Sequence, residues 1–149
     1  MYFEDYTIGQ SFDIPEISLS KEKIISFAKE YDPRYFHTDE NLAKETRFGG
    51  IIASGLQTII SCWAAWVKTG IDADGMICGM ELTNNRWIKP VYPGDILRGR
   101  LTITAKDLRA DKKTGTVSNR LEVKNQKGEL VLTLETTALI KCKNAFGTV

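Results

Sequence analysis

Residues 54–68 read SGLQTIISCWAAWVK, and the almost wholly apolar helix that they predict constrains the arrangement of the rest of the chain. Large apolar side chains recur in it at helical spacing and trace one face of a predicted helix: Leu56, Ile59, Ile60, Trp63 and Val67. The remaining face is barely polar and carries mostly small side chains: Ser61, Cys62, Ala64 and Ala65. Because a helix with so little polar surface must be covered on nearly every side, we expect the rest of the chain to wrap around it.

Beyond Gly70 the apolar pattern changes from helical to alternating, which is typical of strands that bury one face. Strands are predicted over about 78–89, 97–106, 117–124 and 130–140, with a hairpin turn at Asn125-Gln126-Lys127-Gly128. An antiparallel sheet of this length can bury its inner face by curling around the helix, which gives an α+β fold. Open edge strands invite pairing with a second copy, so we expect a symmetric homodimer.

Upstream of the central helix the pattern is less regular. Residues about 7–19 predict a short first strand or extended lead-in. Ser20 can cap a helix that ends at Tyr31, because the residue before Pro33 is pushed out of the α region. From Asp32 to Gly50 one short helix is expected, over about 39–44.

The composition is that of an ordinary soluble domain, and we predict a single domain over residues 1–149. Lys plus Arg total 20 and Asp plus Glu total 19, so the net charge of +1 favours neither nucleic acid nor an anionic membrane as a partner. No apolar run approaches the roughly 20 residues that cross a bilayer. The acidic N-terminus is unlike a signal peptide, so we expect a cytoplasmic protein.

Three cysteines occur at wide spacing, at positions 62, 78 and 142. Their odd number and their apolar or strand-like surroundings predict reduced structural thiols rather than disulfides or a zinc cluster. The sequence contains no paired metal ligands, Gly-rich phosphate loop or nucleotide fingerprint, so neither a metal site nor a separate cofactor is predicted.

The stretch most informative about chemistry runs from residue 31 to residue 39 and reads YDPRYFHTD. His37 is the only histidine in the chain and lies five residues after Asp32, in a segment predicted to be a loop. Because Pro33 forces this segment away from helix, both side chains can turn toward one pocket. A carboxylate and an imidazole held together can activate water near neutral pH.

Ser54-Gly55 opens the predicted central helix. Unsatisfied N–H groups and the positive end of the helix dipole can hold a developing oxyanion there, and glycine lets a carbonyl approach the backbone closely. Ser54 could also act simply as the helix cap. We therefore predict an oxyanion-binding site at Ser54 and Gly55, next to a water-activating pair.

The segment resembles the (R)-specific enoyl-CoA hydratases and the wider MaoC-like dehydratases, whose motif runs Asp-x-Asn-Pro-x-His, then a short helix, then a small-residue pair at the start of a central helix. The match places the catalytic Asp on Asp32, the catalytic His on His37 and the oxyanion-binding glycine on Gly55. Residues 90–95, PVYPGD, are similar to the family's Pro-x-x-x-Gly-Asp strand entry. The resemblance spans roughly residues 20–105.

Two positions depart from the stricter hydratase motif. Its Asn-Pro is replaced by Pro33-Arg34-Tyr35-Phe36, and the residue before Gly55 is serine instead of histidine. The first of these forms is associated with the broader MaoC-like group. Both departures leave the acyl substrate open.

The resemblance implies a hot-dog fold and the hydration of a 2-enoyl thioester to an (R)-3-hydroxyacyl thioester, or the reverse dehydration. Asp32 and His37 would activate the water, and the N–H of Gly55 would bind the thioester oxygen. Coenzyme A would enter only as part of the substrate, and an acyl carrier protein could replace it.

Two alternatives share this fold and ligand. A hot-dog thioesterase places a carboxylate on its central helix, but no Asp or Glu lies between Gly55 and Thr69. A non-catalytic acyl-binding module has no need of the Asp32–His37 pair. The tryptophans at 63, 66 and 87 are interpreted as core or dimer-interface residues, and the basic residues at 86, 89, 98 and 100 as the solvated face of strands.

Overall fold

A computed structural model describes residues 1–144. After a 3₁₀ turn at Phe3–Asp5, the helices and strands follow one another in this order: β1 (Ser11–Ser18), α1 (Lys21–Tyr31), α2 (Tyr35–Thr38), α3 (Glu40–Lys44), α4 (Gly55–Lys68), β2 (Met76–Trp87), β3 (Ile96–Leu108), β4 (Thr114–Lys124) and β5 (Leu130–Lys141).

The strands form one antiparallel sheet in the order β1-β3-β4-β5-β2. Strands β3 and β4 alternate buried and exposed residues over much of their length, as on β3, where Leu97, Leu101 and Ile103 face inward. These inward side chains form a single core cluster with Ile59, Cys62 and Trp66 of α4. The predicted α+β hot-dog fold, a curled antiparallel sheet around a central helix, is confirmed.

Helix α4 is covered on fewer sides of this chain than the sequence predicted. Of the five large apolar residues on its predicted apolar face, only Ile59 is buried, and the other four are exposed on this chain: Leu56, Ile60, Trp63 and Val67. The buried face instead carries Thr58, Cys62 and Trp66. Ile59, Cys62 and Trp66 belong to the core cluster formed with the sheet, and the opposite face of α4 is left uncovered on this chain.

Strand β2 lies at one edge of the sheet, and most of its residues are exposed. Its exposed side chains include several large apolar ones: Ile77, Met80, Leu82 and Trp87. The chain therefore presents two sets of exposed apolar side chains, one on α4 and one on β2.

Helix α1 begins and ends where the sequence predicted. The Ser20 hydroxyl accepts a hydrogen bond from the N–H of Lys23, and the helix stops at Tyr31, directly before Asp32 and Pro33. Asp39 caps α3 through the N–H groups of Asn41 and Leu42. This part of the chain thus holds residues 32–39 against the beginning of α4.

Among the helices within residues 1–144, none combines the length and the apolar character needed to span a membrane.

Candidate active site

Asp32 lies at the C-terminal end of α1, where the chain leaves the helix. Its Oδ2 accepts a hydrogen bond from the Ser54 hydroxyl at 2.8 Å and lies 3.4 Å from Nε2 of His37. Its Oδ1 accepts a hydrogen bond from Nε of Arg34 at 3.0 Å. The carboxylate is 20 % exposed, so it is held by three partners and still reachable from solvent.

The imidazole of His37 is buried and oriented by the backbone. Its Nδ1 lies 2.6 Å from the carbonyl oxygen of Ile52. A carbonyl only accepts hydrogen bonds, so this contact assigns the proton to Nδ1 and directs Nε2 toward Asp32. The ring of Phe36 packs edge-on against the imidazole, at 4.5 Å between centroids, and the N–H of Ile52 donates to the Phe36 carbonyl.

The predicted loop around His37 is in fact the one-turn helix α2, which begins at Tyr35. The turn is closed by hydrogen bonds from the N–H of His37 to the Arg34 carbonyl and from the N–H of Asp39 to the Tyr35 carbonyl. A four-residue helix is too short to produce a hydrophobic period, which is why the sequence pattern did not reveal it.

The surroundings of Asp32 favour its ionised form. Burial raises the pKa of this carboxyl, but the Ser54 hydrogen bond, the charge of His37 and the guanidinium of Arg34 outweigh burial and hold the pKa below its ordinary value. Asp32 is therefore a carboxylate at neutral pH, suited to accept a hydrogen bond from water or to stabilise an imidazolium.

Ser54 and Gly55 stand at the N-terminus of α4, as predicted. Ser54 is fully buried, but its hydroxyl does not cap the helix, so the capping interpretation was wrong for the side chain. The hydroxyl is committed to Asp32 instead. Gly55 is the first helical residue, and within residues 1–144 its N–H meets no acceptor. Binding of an oxyanion at Ser54 and Gly55 stays a prediction, and the Gly55 N–H is the donor that remains available for it, because the Ser54 hydroxyl is bonded to Asp32.

Trp87, at the end of β2, covers Gly55. A Cβ atom built on Gly55 would lie 2.2 Å from Nε1 and 2.4 Å from Cε2 of the Trp87 indole. Sequence reasoning missed this contact, because the two residues are 32 positions apart and nothing local links them. The neighbouring Trp87 side chain therefore leaves no space for a Cβ atom at this position.

Most of the basic residues assigned to the solvated face of strands pair with acids of this chain. Lys89 pairs with Glu129, Arg98 with Glu16 and Arg100 with Asp13. These contacts agree with the assignment of these three residues to a solvated surface.

Comparisons with known proteins identify the family and agree with the fold. The family model described as "MaoC like domain" matches residues 4–125. The uncharacterized protein YdeM of Bacillus subtilis is 38% identical over 95% of this chain and 99% of its own length. The mesaconyl-CoA hydratase of Cereibacter sphaeroides is 28% identical over 88% of this chain, which corresponds to 38% of that enzyme. A crystal structure of the MaoC-like dehydratase from Rhodospirillum rubrum superposes with a TM-score of 0.88 at 30% identity, covering 96% of this chain and 98% of that one.

Replacing Ser54 with alanine is expected to raise the pKa of Asp32, because the variant loses a hydrogen bond to the ionised form. Side-chain carboxyl ¹³C NMR measures this pKa. In the wild type, ionised Asp32 should contribute fully to the free energy of unfolding above about pH 3.9, the pKa of an aspartate in the unfolded chain. This contribution should be lost as the pH falls through the lower pKa that Asp32 has in the folded protein. Ser61→Ala, on the same helix, is the control and should leave the pKa of Asp32 unchanged. An Asp32 pKa that is equal or lower in Ser54→Ala would contradict the assignment.

Replacing Gly55 with alanine is expected to lower the melting temperature, since the new methyl group would overlap the Trp87 indole. Adding Trp87→Ala should recover much of that loss by removing the obstacle, so the two substitutions should be strongly non-additive. Thermal unfolding of the two single variants and the double variant checks this. Purely additive losses would show that Trp87 does not occupy the space beside Gly55.

Proposed function

The chain belongs to the MaoC-like domain family, and from this premise we propose that it hydrates a 2-enoyl thioester to an (R)-3-hydroxyacyl thioester, or catalyses the reverse dehydration. The observation that carries the proposal is the juxtaposition of Asp32 and His37, 3.4 Å apart, beside the first turn of α4. The similarity to a protein named mesaconyl-CoA hydratase supports the same class of reaction.

The proposed reaction begins with a water bound between Nε2 of His37 and the carboxylate of Asp32. His37 keeps its Nδ1 proton on the Ile52 carbonyl, so Nε2 is free to accept a proton from this water. As the water oxygen bonds to the β-carbon, the π electrons of the double bond move toward the thioester oxygen. The imidazolium then returns the proton to the α-carbon, which completes the hydration.

Asp32 acts as an anion in this scheme rather than as an acid. The Ser54 hydroxyl and Nε of Arg34 donate hydrogen bonds to its carboxylate, and they hold it ionised while the proton moves through His37. The negative charge orients the water and stabilises the imidazolium that forms in the first step.

The enolate-like oxygen that develops on the thioester would be bound by the N–H of Gly55. This N–H lies at the positive end of a 14-residue helix and is next in the chain to Ser54, whose hydroxyl contacts Asp32. Loss of one such donor in enzymes generally costs about 3 kcal/mol of barrier height.

Coenzyme A enters this proposal only as the carrier of the acyl group, and an acyl carrier protein would serve equally. A cytoplasmic location belongs to the same proposal, because acyl thioesters of this kind are made and consumed there. The thioesterase alternative has no comparable support, since α4 carries no carboxylate residue between Gly55 and Lys68.

The activity is tested by mixing the protein with crotonyl-CoA and following the loss of enoyl absorbance. Asp32→Asn and His37→Gln are each expected to lower kcat by about 100-fold or more, since each removes a group that activates the water. Asp74→Asn, which changes an exposed aspartate away from the site, should retain wild-type activity.

Release of free thiol at equal rates in the wild type and both variants, without hydration, would favour the thioesterase. Tight acyl-CoA binding without any turnover over several chain lengths would instead favour a binding module.

We further propose that the functional unit is a homodimer. The exposed apolar residues of α4 and the open edge of β2 are surfaces that a monomer would leave in water. A second copy can cover both surfaces, because a two-fold axis pairs each edge strand and each helix face with its counterpart in the other copy.

Sedimentation velocity is expected to give twice the chain mass of 16.7 kDa. Ile60→Asp should shift the protein toward monomer, because it places a charge on the exposed apolar face of α4. Ile8→Asp alters an equally exposed isoleucine near the N-terminus and should leave the dimer intact. A monomeric wild type, or an Ile60→Asp variant as dimeric as Ile8→Asp, would contradict this proposal.

A further inference from the structure

Arg34 is a charged residue fixed directly beside the proposed reaction centre. Its Nε donates to Oδ1 of Asp32 at 3.0 Å. Its backbone is held as well, since its N–H donates to the Asp32 carbonyl at 2.7 Å and its own carbonyl accepts from the N–H of His37 at 2.9 Å. The same carbonyl accepts from the Thr38 hydroxyl at 3.1 Å. These contacts fix the backbone of Arg34 beside both catalytic candidates, and the Nε hydrogen bond directs its guanidinium to Asp32.

Most of the hydrogen-bonding capacity of Arg34 is unused. A guanidinium has five N–H donors, and Nε accounts for only one of them. The two terminal nitrogens make no hydrogen bond to any residue within 1–144, and the side chain is 68 % exposed. Arg100, by contrast, directs both Nε and Nη2 at Asp13. Arg34 therefore presents a free edge with the planar, two-donor geometry that matches a carboxylate.

In the proposed site, the terminal nitrogens of Arg34 would lie near the β-carbon of the substrate. A water bound to Asp32 would stand about 3 Å from this carboxylate, as Nε of Arg34 does. The β-carbon attacked by that water lies about 3 Å beyond it. In the proposed binding mode, a substituent on the β-carbon would come close to the terminal nitrogens of Arg34, and the thioester end would lie at Gly55.

The charge balance of the site also favours an anionic substituent. Asp32 alone would repel a second negative charge at this distance. The guanidinium of Arg34 offsets that charge and leaves donors available, so a carboxylate would gain hydrogen bonds here without facing an uncompensated anion.

We propose that Arg34 binds a carboxylate attached to the β-carbon of the substrate, so that the preferred substrate is a butenedioyl-type thioester rather than a plain 2-enoyl thioester. This inference rests on the proposed hydratase function and specifies its substrate class. Water adds its oxygen to the carbon that bears the carboxylate and its proton to the carbon next to the thioester. The product is a 2-hydroxydicarboxylic acid monothioester, and no further reactant is consumed.

The test compares three CoA thioesters that differ only at the β-substituent: crotonyl-CoA with a methyl group, fumaryl-CoA with a carboxylate, and fumaramoyl-CoA with an uncharged amide of nearly the same shape. For the wild type, kcat/KM is expected to be at least about 30-fold higher for fumaryl-CoA than for fumaramoyl-CoA, because only the carboxylate forms a charged two-point contact. The amide controls for electron withdrawal by a second carbonyl.

Arg34→Gln should remove that preference, lowering kcat/KM for fumaryl-CoA at least about 30-fold more than for crotonyl-CoA. Arg34→Lys should keep part of the preference, because it retains the charge but loses the planar fork. Arg109→Gln removes an exposed arginine in the β3–β4 connection and should behave as wild type.

The outcomes separate the two proposals. If crotonyl-CoA is hydrated but fumaryl-CoA is not preferred over the amide, the substrate class is wrong while the hydratase function stands. The substrate class is also wrong if Arg34→Gln lowers kcat/KM equally for all three thioesters, since Arg34 would then only position Asp32. If none of the three thioesters is hydrated, the proposed function itself falls, and this inference falls with it.

Discussion

The hydrogen bond from the Ser54 hydroxyl to Asp32 ties the end of α1 to the beginning of α4. It joins two residues 22 positions apart and brings a carboxylate to the positive end of a long helix. A buried hydroxyl without a partner would be costly, so the contact fixes Ser54 and Asp32 together. Asp32 is thereby placed 3.4 Å from Nε2 of His37 and beside the first residue of α4.

The proposed site combines side-chain groups with backbone groups. Side chains from residues 32–37 supply charge and a proton acceptor, while the backbone at residues 52–55 orients the imidazole and offers an N–H donor. Backbone groups are held by the helix and by the hydrogen bond from Ala53 to Val91, so they need no reorganisation during a reaction. The segment between α1 and α4 thus places the imidazole of His37 next to the carboxylate of Asp32.

Much of this arrangement could be predicted from the sequence because it depends on local patterns. The end of α1 before Pro33, the start of α4 at Gly55 and the alternating strands all follow from spacing and backbone chemistry. The contacts of Ser54 with Asp32 and of Trp87 with Gly55 join distant parts of the chain, so no local pattern reveals them. The exposure of four large apolar residues of α4 was not predicted, because hydrophobic periodicity shows which residues share a face but not whether the same chain covers that face.

A crystal structure of the wild-type protein with (R)-3-hydroxybutyryl-CoA would show whether Asp32, His37 and Gly55 form one active site. We expect the thioester oxygen about 3 Å from the Gly55 nitrogen, and the 3-hydroxyl within about 3 Å of both Asp32 and Nε2 of His37. An acyl group bound elsewhere on the protein, or bound here with its hydroxyl turned away from both side chains, would contradict this expectation.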